Sequence, residues 1–505
     1  MKRKYLVYIG ASLMLLSASC TKDLENVNKN PNSTTAIPPA TMLSNVELAT
    51  ATLGRGTIRR TNLSFDMMAM QQLSSTETID GGEGDKYLKS DNAGNLQDDS
   101  YMLIINNAVQ LIENVKKDPA QINLLSAARI WKVLVFQRLT DAYGDVPYFD
   151  AGKGYITGNV TPNYDKQSDI YADMLKELSE AAAAFDASKT ALGSADIVYN
   201  GDLNKWKKLA YSLMLKLALR MEKQDIAKAK DWASKAIAGG VMSDPTDVCM
   251  IKHTSERNEV SNPITYTFNS YTLADTKIKI SKTFLSQLVN TADPRRGVFV
   301  STVSGDTTLA NLKGLPNGLD LAAFNAAFPG DQLQSYATLN TKVILQQTAP
   351  TFLLTPAEVQ LMQSEIVVKG WMSGDAAGLY AQAVTNSMKQ QAAYGAGGVI
   401  TDAQTQAYLA ANPFPAVAAD QLKALGTQYW IATFLNGWES HANWRRTGYP
   451  VLTPTNYAGN ITNSQIPRRL TYPLNEKVNN PKGIQSSLTN QGKDEYMTRV
   501  WWDKQ

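Results

Sequence analysis

The stretch from Leu124 to Leu139 is apolar nearly all round. A helix without a polar stripe has to be covered on every side, so this segment demands further helices around it. The neighbouring sequence supplies them. Tyr101, Ile104, Ile105, Ala108, Leu111, Ile112 and Val115 recur at three and four residues, the period of one helix face. Tyr171, Met174, Leu175, Leu178, Ala181, Ala182 and Phe185 make another face, with Ser168 as its expected N-cap. Behind a capping Asp202 come Leu203, Trp206, Leu209, Ala210, Leu213, Met214 and Leu217. Ile226, Ala229, Trp232, Ala233, Ala236 and Ile237 follow, closed by Gly239-Gly240. The all-apolar helix itself stops at Gly144 and Pro147.

A second helical pair lies far downstream. Thr355-Pro356-Ala357-Glu358 has the capping-box spacing, with proline where a helix starts well. Val359, Met362 and Ile366 form its apolar face, a turn runs from Gly370 to Gly374, and Ala376, Leu379, Tyr380, Ala383, Val384, Ser387 and Met388 return. Repeated antiparallel pairs with small residues at the crossing look like tetratricopeptide (TPR) units, and Trp206-x-x-Leu209-Ala210 partly matches the start of that pattern. The units are irregularly spaced. Residues 60–100, 241–350 and 392–420 read as loop-rich insertions, and Tyr266-Thr-Phe268-Asn-Ser-Tyr271 alternates like a short strand or extended loop. The expected fold is mostly α: a TPR-like helical-repeat scaffold with long loop-rich insertions and few short strands.

The N-terminus carries an address. Lys2, Arg3 and Lys4 precede an apolar run from Leu6 to Leu16, then Ser17-Ala18-Ser19-Cys20. The layout is that of a secretory signal, and the run is short of the ~20 residues that span a bilayer. Leu16-Ser17-Ala18-Ser19-Cys20 resembles a bacterial lipobox, which implies cleavage before Cys20 and lipid on its sulfur; the alternative is a plain signal with an incidental cysteine. Expected divisions are therefore a signal at 1–19, a lipidated Cys20 and tether to 40, and a helical domain from 41 to 505, with TPR-like helices at about 101–240 and 355–391. Lys22-Asp23 resembles the surface-export tag of Bacteroidetes lipoproteins, or is ordinary tether. Lys and Arg number 49 against 46 Asp and Glu, and the basic head accounts for the excess. A neutral body argues against nucleic acid or an anionic membrane surface as partner. With Cys20 acylated, Cys249 has no internal partner and reads as a small buried hydrophobe. Two histidines leave little room for zinc sites or histidine triads.

The C-terminal third carries two longer motifs, Asn436-Gly-Trp438-Glu-Ser-His441-Ala-Asn-Trp444-Arg445-Arg446-Thr-Gly-Tyr449-Pro450 and Ile466-Pro-Arg468-Arg469-Leu-Thr-Tyr472-Pro-Leu-Asn475-Glu476. Both resemble the closing motifs of the SusD/RagB family of outer-membrane lipoproteins. Gly144-Asp-Val-Pro147-Tyr148, Asp293-Pro294-Arg295 and the 355–391 pair fall in the matching order. The resemblance implies a surface-exposed, lipid-anchored binder of a nutrient, an oligosaccharide for many members and a peptide for some. It also implies a partner, a SusC-like TonB-dependent barrel over which the lipoprotein sits. No cofactor is expected.

Binding by such a protein calls for aromatic and polar side chains on loops held by a rigid scaffold. The candidates are Trp438 and His441, just before the Arg445-Arg446 pair, and Tyr266, Tyr271 and Tyr87 in the insertions. Arg445 and Arg446 themselves read as ties between the C-terminal region and the helical core, with a ligand clamp as the alternative. Asp80-Gly-Gly-Glu83-Gly-Asp85 reads as a solvated turn rather than a calcium loop, since it lacks the EF-hand pattern. No nucleophile elbow, HExxH motif or phosphate loop stands out, so an enzyme is not expected; a surface glycan hydrolase remains the alternative class.

Overall fold

The apolar stretch at 124–139 sits within one helix of 22 residues, Ile122–Tyr143, whose side chains are buried on almost every side, Trp131 among them. This arrangement comes from a computed structural model, which describes residues 37–78, 83–271 and 277–504. The expected signal at 1–19, Cys20 and the tether as far as 36 lie outside the described residues.

From Pro39 the chain forms one compact unit. Its principal helices in order are α1 (Pro39–Thr52), α2 (Ile58–Asp66), α3 (Asn106–Val115), α4 (Ile122–Tyr143), α5 (Gln167–Ala184), α6 (Leu203–Arg220), α7 (Ile226–Gly239), α8 (Pro263–Ser270) and α9 (Lys282–Asn290). Downstream lie α10 (Pro356–Val368), α11 (Ala376–Lys389), α12 (Asp402–Ala411), α13 (Ala418–Ala432), α14 (Gly437–Thr447) and α15 (Pro481–Gln491). Successive helices pack as pairs, α3 with α4, α4 with α5, α5 with α6, α6 with α7 and α10 with α11. The expected helical-repeat scaffold is therefore present. Helix α6 also packs on α10, which joins the two repeat regions through the core.

Strand is scarce. Three two-stranded antiparallel ribbons pair β1 (Leu73–Ser74) with β3 (Lys279–Ile280), β2 (Cys249–Ile251) with β6 (Thr351–Leu354), and β4 (Val300–Ser301) with β5 (Thr338–Leu339). Cys249 lies fully buried in β2, and burial pushes its thiol up out of the reactive range.

Local signals set most helix ends. Asp202 caps α6 by accepting from the Asn204 and Lys205 amides. Thr355 and Glu358 form the full capping box of α10. Gly144, at φ 85°, ends α4 in a conformation that a side chain would strain.

Three expectations need correction. Ser168 does not cap α5: the helix starts at Gln167, and that residue's amide donates to Asp145 from outside the helix, 2.9 Å away. A tertiary carboxylate has replaced the local cap. The insertion expected from residue 60 begins as the buried helix α2, a wide π-type segment continued by a turn at Met67–Ala69. Its polar side chains read as loop, yet Asn62, Thr61 and Asp66 find partners in the C-terminal third. Asn62 spans the Leu435 carbonyl and the Gly437 amide, and Thr61 accepts from the Trp438 indole. Finally, Tyr266 to Ser270 is helical rather than extended. Asn262 caps α8 through the Ile264 and Thr265 amides, and Pro263 opens it. Start signals outweigh four residues of alternation.

Candidate ligand-binding face

The C-terminal motifs build an electrostatic interior. On α14, Arg446 grips Glu365 of α10 at 2.5 and 2.6 Å, and Arg445 donates to the carbonyls of Arg468 and Asp141. Glu439 accepts from Arg220 and from the Tyr429 hydroxyl, both at 2.6 Å, with Lys216 at 3.1 Å. Burial opposes the Glu439 charge, but Arg220 and Lys216 overcome it and hold the carboxyl at about 2. The Arg445-Arg446 pair is thus a structural tie rather than a ligand clamp.

Trp438 and His441 belong to this interior and not to a ligand surface, which corrects their reading as binding residues. They are 8 % and 3 % exposed. Both nitrogens of His441 are engaged, Nδ1 with Asp66 at 2.5 Å and Nε2 with the Pro467 carbonyl at 2.8 Å. Trp438 carries the Arg138 guanidinium over its ring. The cavity beside them, about 20 Å³, has room for a single water and not for a sugar ring.

Tyr87 lies beside the β1–β3 ribbon. Ser74 pairs with Lys279, so the chain leaving β1 and the chain entering β3 emerge on the same side. A Glu77–Lys277 ion pair at 3.3 Å continues that pairing. Asp85 gathers the neighbouring loops. Its carboxylate accepts from Ser74, from the Asn317 side chain at 3.1 Å and from the Gly318 amide at 3.2 Å, while Lys86 beside it donates to the Ser75 carbonyl. Thr455 reaches the Asp85 carbonyl from the C-terminal side.

Tyr87 serves this junction. It is 1 % exposed, its hydroxyl accepts from the Thr455 amide at 3.1 Å, and its carbonyl accepts from the Ile461 amide. Its place is a buried clamp between loops, which corrects its reading as a ligand contact. Glu83 and Asp85 are likewise buried, so this part of the acidic glycine loop is not a solvated turn; Asp80 lies outside the described residues. Among the described residues no cluster of three or more His, Cys, Asp or Glu is placed to hold a metal ion.

Tyr266 and Tyr271 share one environment in kind, a ring beneath an arginine. Tyr266 lies within α8 and Tyr271 just past its end, and each ring is covered on one side by a guanidinium: Arg55 lies 3.6 Å from the Tyr266 centroid and Arg59 4.1 Å from that of Tyr271. Tyr271 is 48 % exposed. The two tyrosines, each backed by a guanidinium plane, are able to stack on a flat ring. Arg55 and Arg59 were not singled out from sequence. Their spacing of four, which puts two side chains on one helix face, was the available signal.

Taken together, the described fold is a helical-repeat scaffold with three short ribbons in its inter-helix insertions. The chain belongs to the SusD-like family, whose model, described as starch-binding associating with outer membrane, matches residues 31–473. Among solved structures, a chitin-binding protein is 32 % identical, with a TM-score of 0.82 over 93 % of this chain and 100 % of that one. A SusD-like protein from Bacteroidetes AC2a is 27 % identical, with a TM-score of 0.81 over 93 % and 100 %. A chitin-binding SusD homologue from Flavobacterium johnsoniae shares the fold at 24 % identity and a TM-score of 0.78, over 92 % and 99 %. No curated protein matches the chain.

Proposed function

We propose that this protein is a surface-exposed outer-membrane lipoprotein, anchored through Cys20, that captures an oligosaccharide and hands it to a SusC-like TonB-dependent transporter. The observation that carries the reading is the full-length likeness to a chitin-binding protein at 32 % identity, joined to the family description. Support for the membrane attachment comes from the lipobox-like end, and no helix among the described residues is long and apolar enough to cross a membrane. A two- or three-chain lipid anchor suffices, since each buried methylene contributes about 0.8 kcal/mol.

The candidate contacts are Tyr271 and Tyr266, with Arg55 and Arg59 holding their rings. Stacking of this kind adds about 0.5–1.5 kcal/mol per ring. A few such contacts give modest affinity, which suits a protein that must release its ligand to a partner. The role is capture rather than bond making.

Calorimetric titration with N-acetylglucosamine oligomers and with maltooligosaccharides tests the ligand class. Saturable binding of either, weakened by Tyr271→Ala, supports the reading. Absence of binding to both sinks it. Purification of the lipidated protein from gently solubilised outer membranes tests the partner, and recovery without a TonB-dependent barrel counts against the transporter.

A further inference from the structure

A second cleft shares no lining residue with the tyrosine face, although the turn that carries its Asp98 packs on the segment of Arg55. The segment 97–106, the loop 147–162 and Asn475-Glu476 enclose about 550 Å³, within the ~300–1,000 Å³ usual for small-ligand sites. Its walls carry three carboxylates, Asp98, Asp150 and Glu476, and no Lys or Arg lines it. Burial, with the charges of Glu476 and Asp99 adding to it, pushes the Asp98 carboxyl up to about 6 against a hydrogen bond from Asn475. That carboxylate is short of a cation.

An independent feature points the same way. Gln97 is 1 % exposed; its Nε2 donates to the Tyr164 hydroxyl at 2.6 Å, and that hydroxyl donates to Glu476 at 3.1 Å. Gln97 lines the cleft, and its Oε1 is buried and accepts no hydrogen bond. A buried acceptor left unpaired costs about 1–3 kcal/mol, so the site wants a donor. At the mouth, Tyr155 and Met102 are 63 % and 62 % exposed, large apolar surfaces that the fold leaves uncovered.

We propose that this cleft binds a saccharide carrying a free, protonated amine. An ammonium offers three donors and no acceptor, which matches two carboxylates and an unpaired amide oxygen. The sugar ring lies on Tyr155, and the amides of Asn106 and Asn159 take up hydroxyls. An N-acetylated sugar has no charge to set against Asp98 and Glu476. The site shares no lining residue with the tyrosine face.

The test is calorimetric titration of the purified protein near neutral pH and at low salt, with the glucosamine trisaccharide and its fully N-acetylated counterpart. The free-amine form is expected to bind, and Asp98→Asn and Glu476→Gln are each expected to weaken it at least tenfold while leaving any binding of the N-acetylated form within twofold. Tyr155→Ala, at an exposed position that folding does not need, is expected to weaken the free-amine form about threefold or more. Tyr271→Ala is expected to leave it unchanged. The proposal is overturned by absence of free-amine binding to the parent protein, by carboxylate and Tyr155 variants that bind within twofold of it, or by loss on Tyr271→Ala alone. A lysine tripeptide amide that binds the cleft as tightly as the trisaccharide would overturn the assignment to a saccharide.

Discussion

Arg446 and Glu365 meet as a planar fork, Nη1 2.5 Å from Oε1 and Nη2 2.6 Å from Oε2, across 81 residues of sequence. The pair joins the C-terminal motif to the second helical repeat pair. Removing one partner of such a buried pair strands the other, at about 3–5 kcal/mol. Lys369 also reaches Glu365, at 2.6 Å, and keeps it partly neutralised. Arg446→Ala is therefore expected to lower unfolding free energy by about 3 kcal/mol, the lower end of that range. Denaturant titration measures it, and a loss under 1 kcal/mol on the same scale would mean the fork is not a tie.

Acid should weaken the interior. The Glu439 carboxyl titrates from 4.5 in the unfolded chain but near 2 when folded, so its ionised form is the one the fold prefers. Its contribution is fully present above about pH 4.5 and is lost as pH falls towards about 2. Glu47 has the opposite sign: burial and then Asp196 raise it, so it penalises the fold when ionised and recovers as it protonates. Stability measured from pH 6 to 2 should fall in the parent more steeply than in Glu439→Gln, which starts lower. Parallel curves would remove Glu439 from the acid response.

Two aromatic substitutions should separate stability from binding. Trp438→Ala empties a core position, at about 3–5 kcal/mol. Tyr271→Ala removes a half-exposed ring and is expected to leave the melting temperature within a degree or two. Its glycan affinity should drop about two- to twelvefold, the equivalent of 0.5–1.5 kcal/mol. Equal destabilisation by both would place Tyr271 in the core as well.

Gly84 is a close approach rather than a flexible joint. A Cβ there would overlap the Phe65 carbonyl, which is fixed backbone in α2. Gly84→Ala should destabilise by about 1–3 kcal/mol, the range for overpacking. It should also disturb Asp85 next door, so ligand affinity at the ribbon should fall with stability. A neutral Gly84→Ala would show that the loop can move aside.

Cys20→Ser tests the anchor. The serine variant is expected in the soluble fraction after cell lysis, the parent in the membrane fraction until detergent is added. Membrane retention of the variant would exclude lipid at Cys20 as the attachment.

Much of the scaffold was legible because its causes are local. The three-and-four periodicity at 101–115, 171–185 and 203–217, the caps at Asp202 and Thr355, and the stop at Gly144 act within one or two turns. Each appears in the structure near its expected place, except that Ser100–Ile105 winds as a wide π-type segment before the α-helix at Asn106 and Phe185 falls just past its helix. The tie made by Arg445 and Arg446 was readable in kind, though not the partners.

The site was less legible, because exposure is not a local property. Trp438 and His441 look like ligand contacts beside a run of polar residues, yet Asp66 and Thr61, more than 370 positions earlier, draw them inside. Asn62, Asp66 and Tyr87 look like loop residues for the mirror reason: the groups that satisfy them arrive from Leu435 to Ile461.

The sequence by itself determined where helices start, stop and turn their apolar faces, since propensity, capping and periodicity are read within a few residues. Only the tertiary structure decided which polar and aromatic side chains meet water. A buried donor or charge is tolerated when a distant partner pays its desolvation cost, and that partner is chosen by the packing of the whole chain.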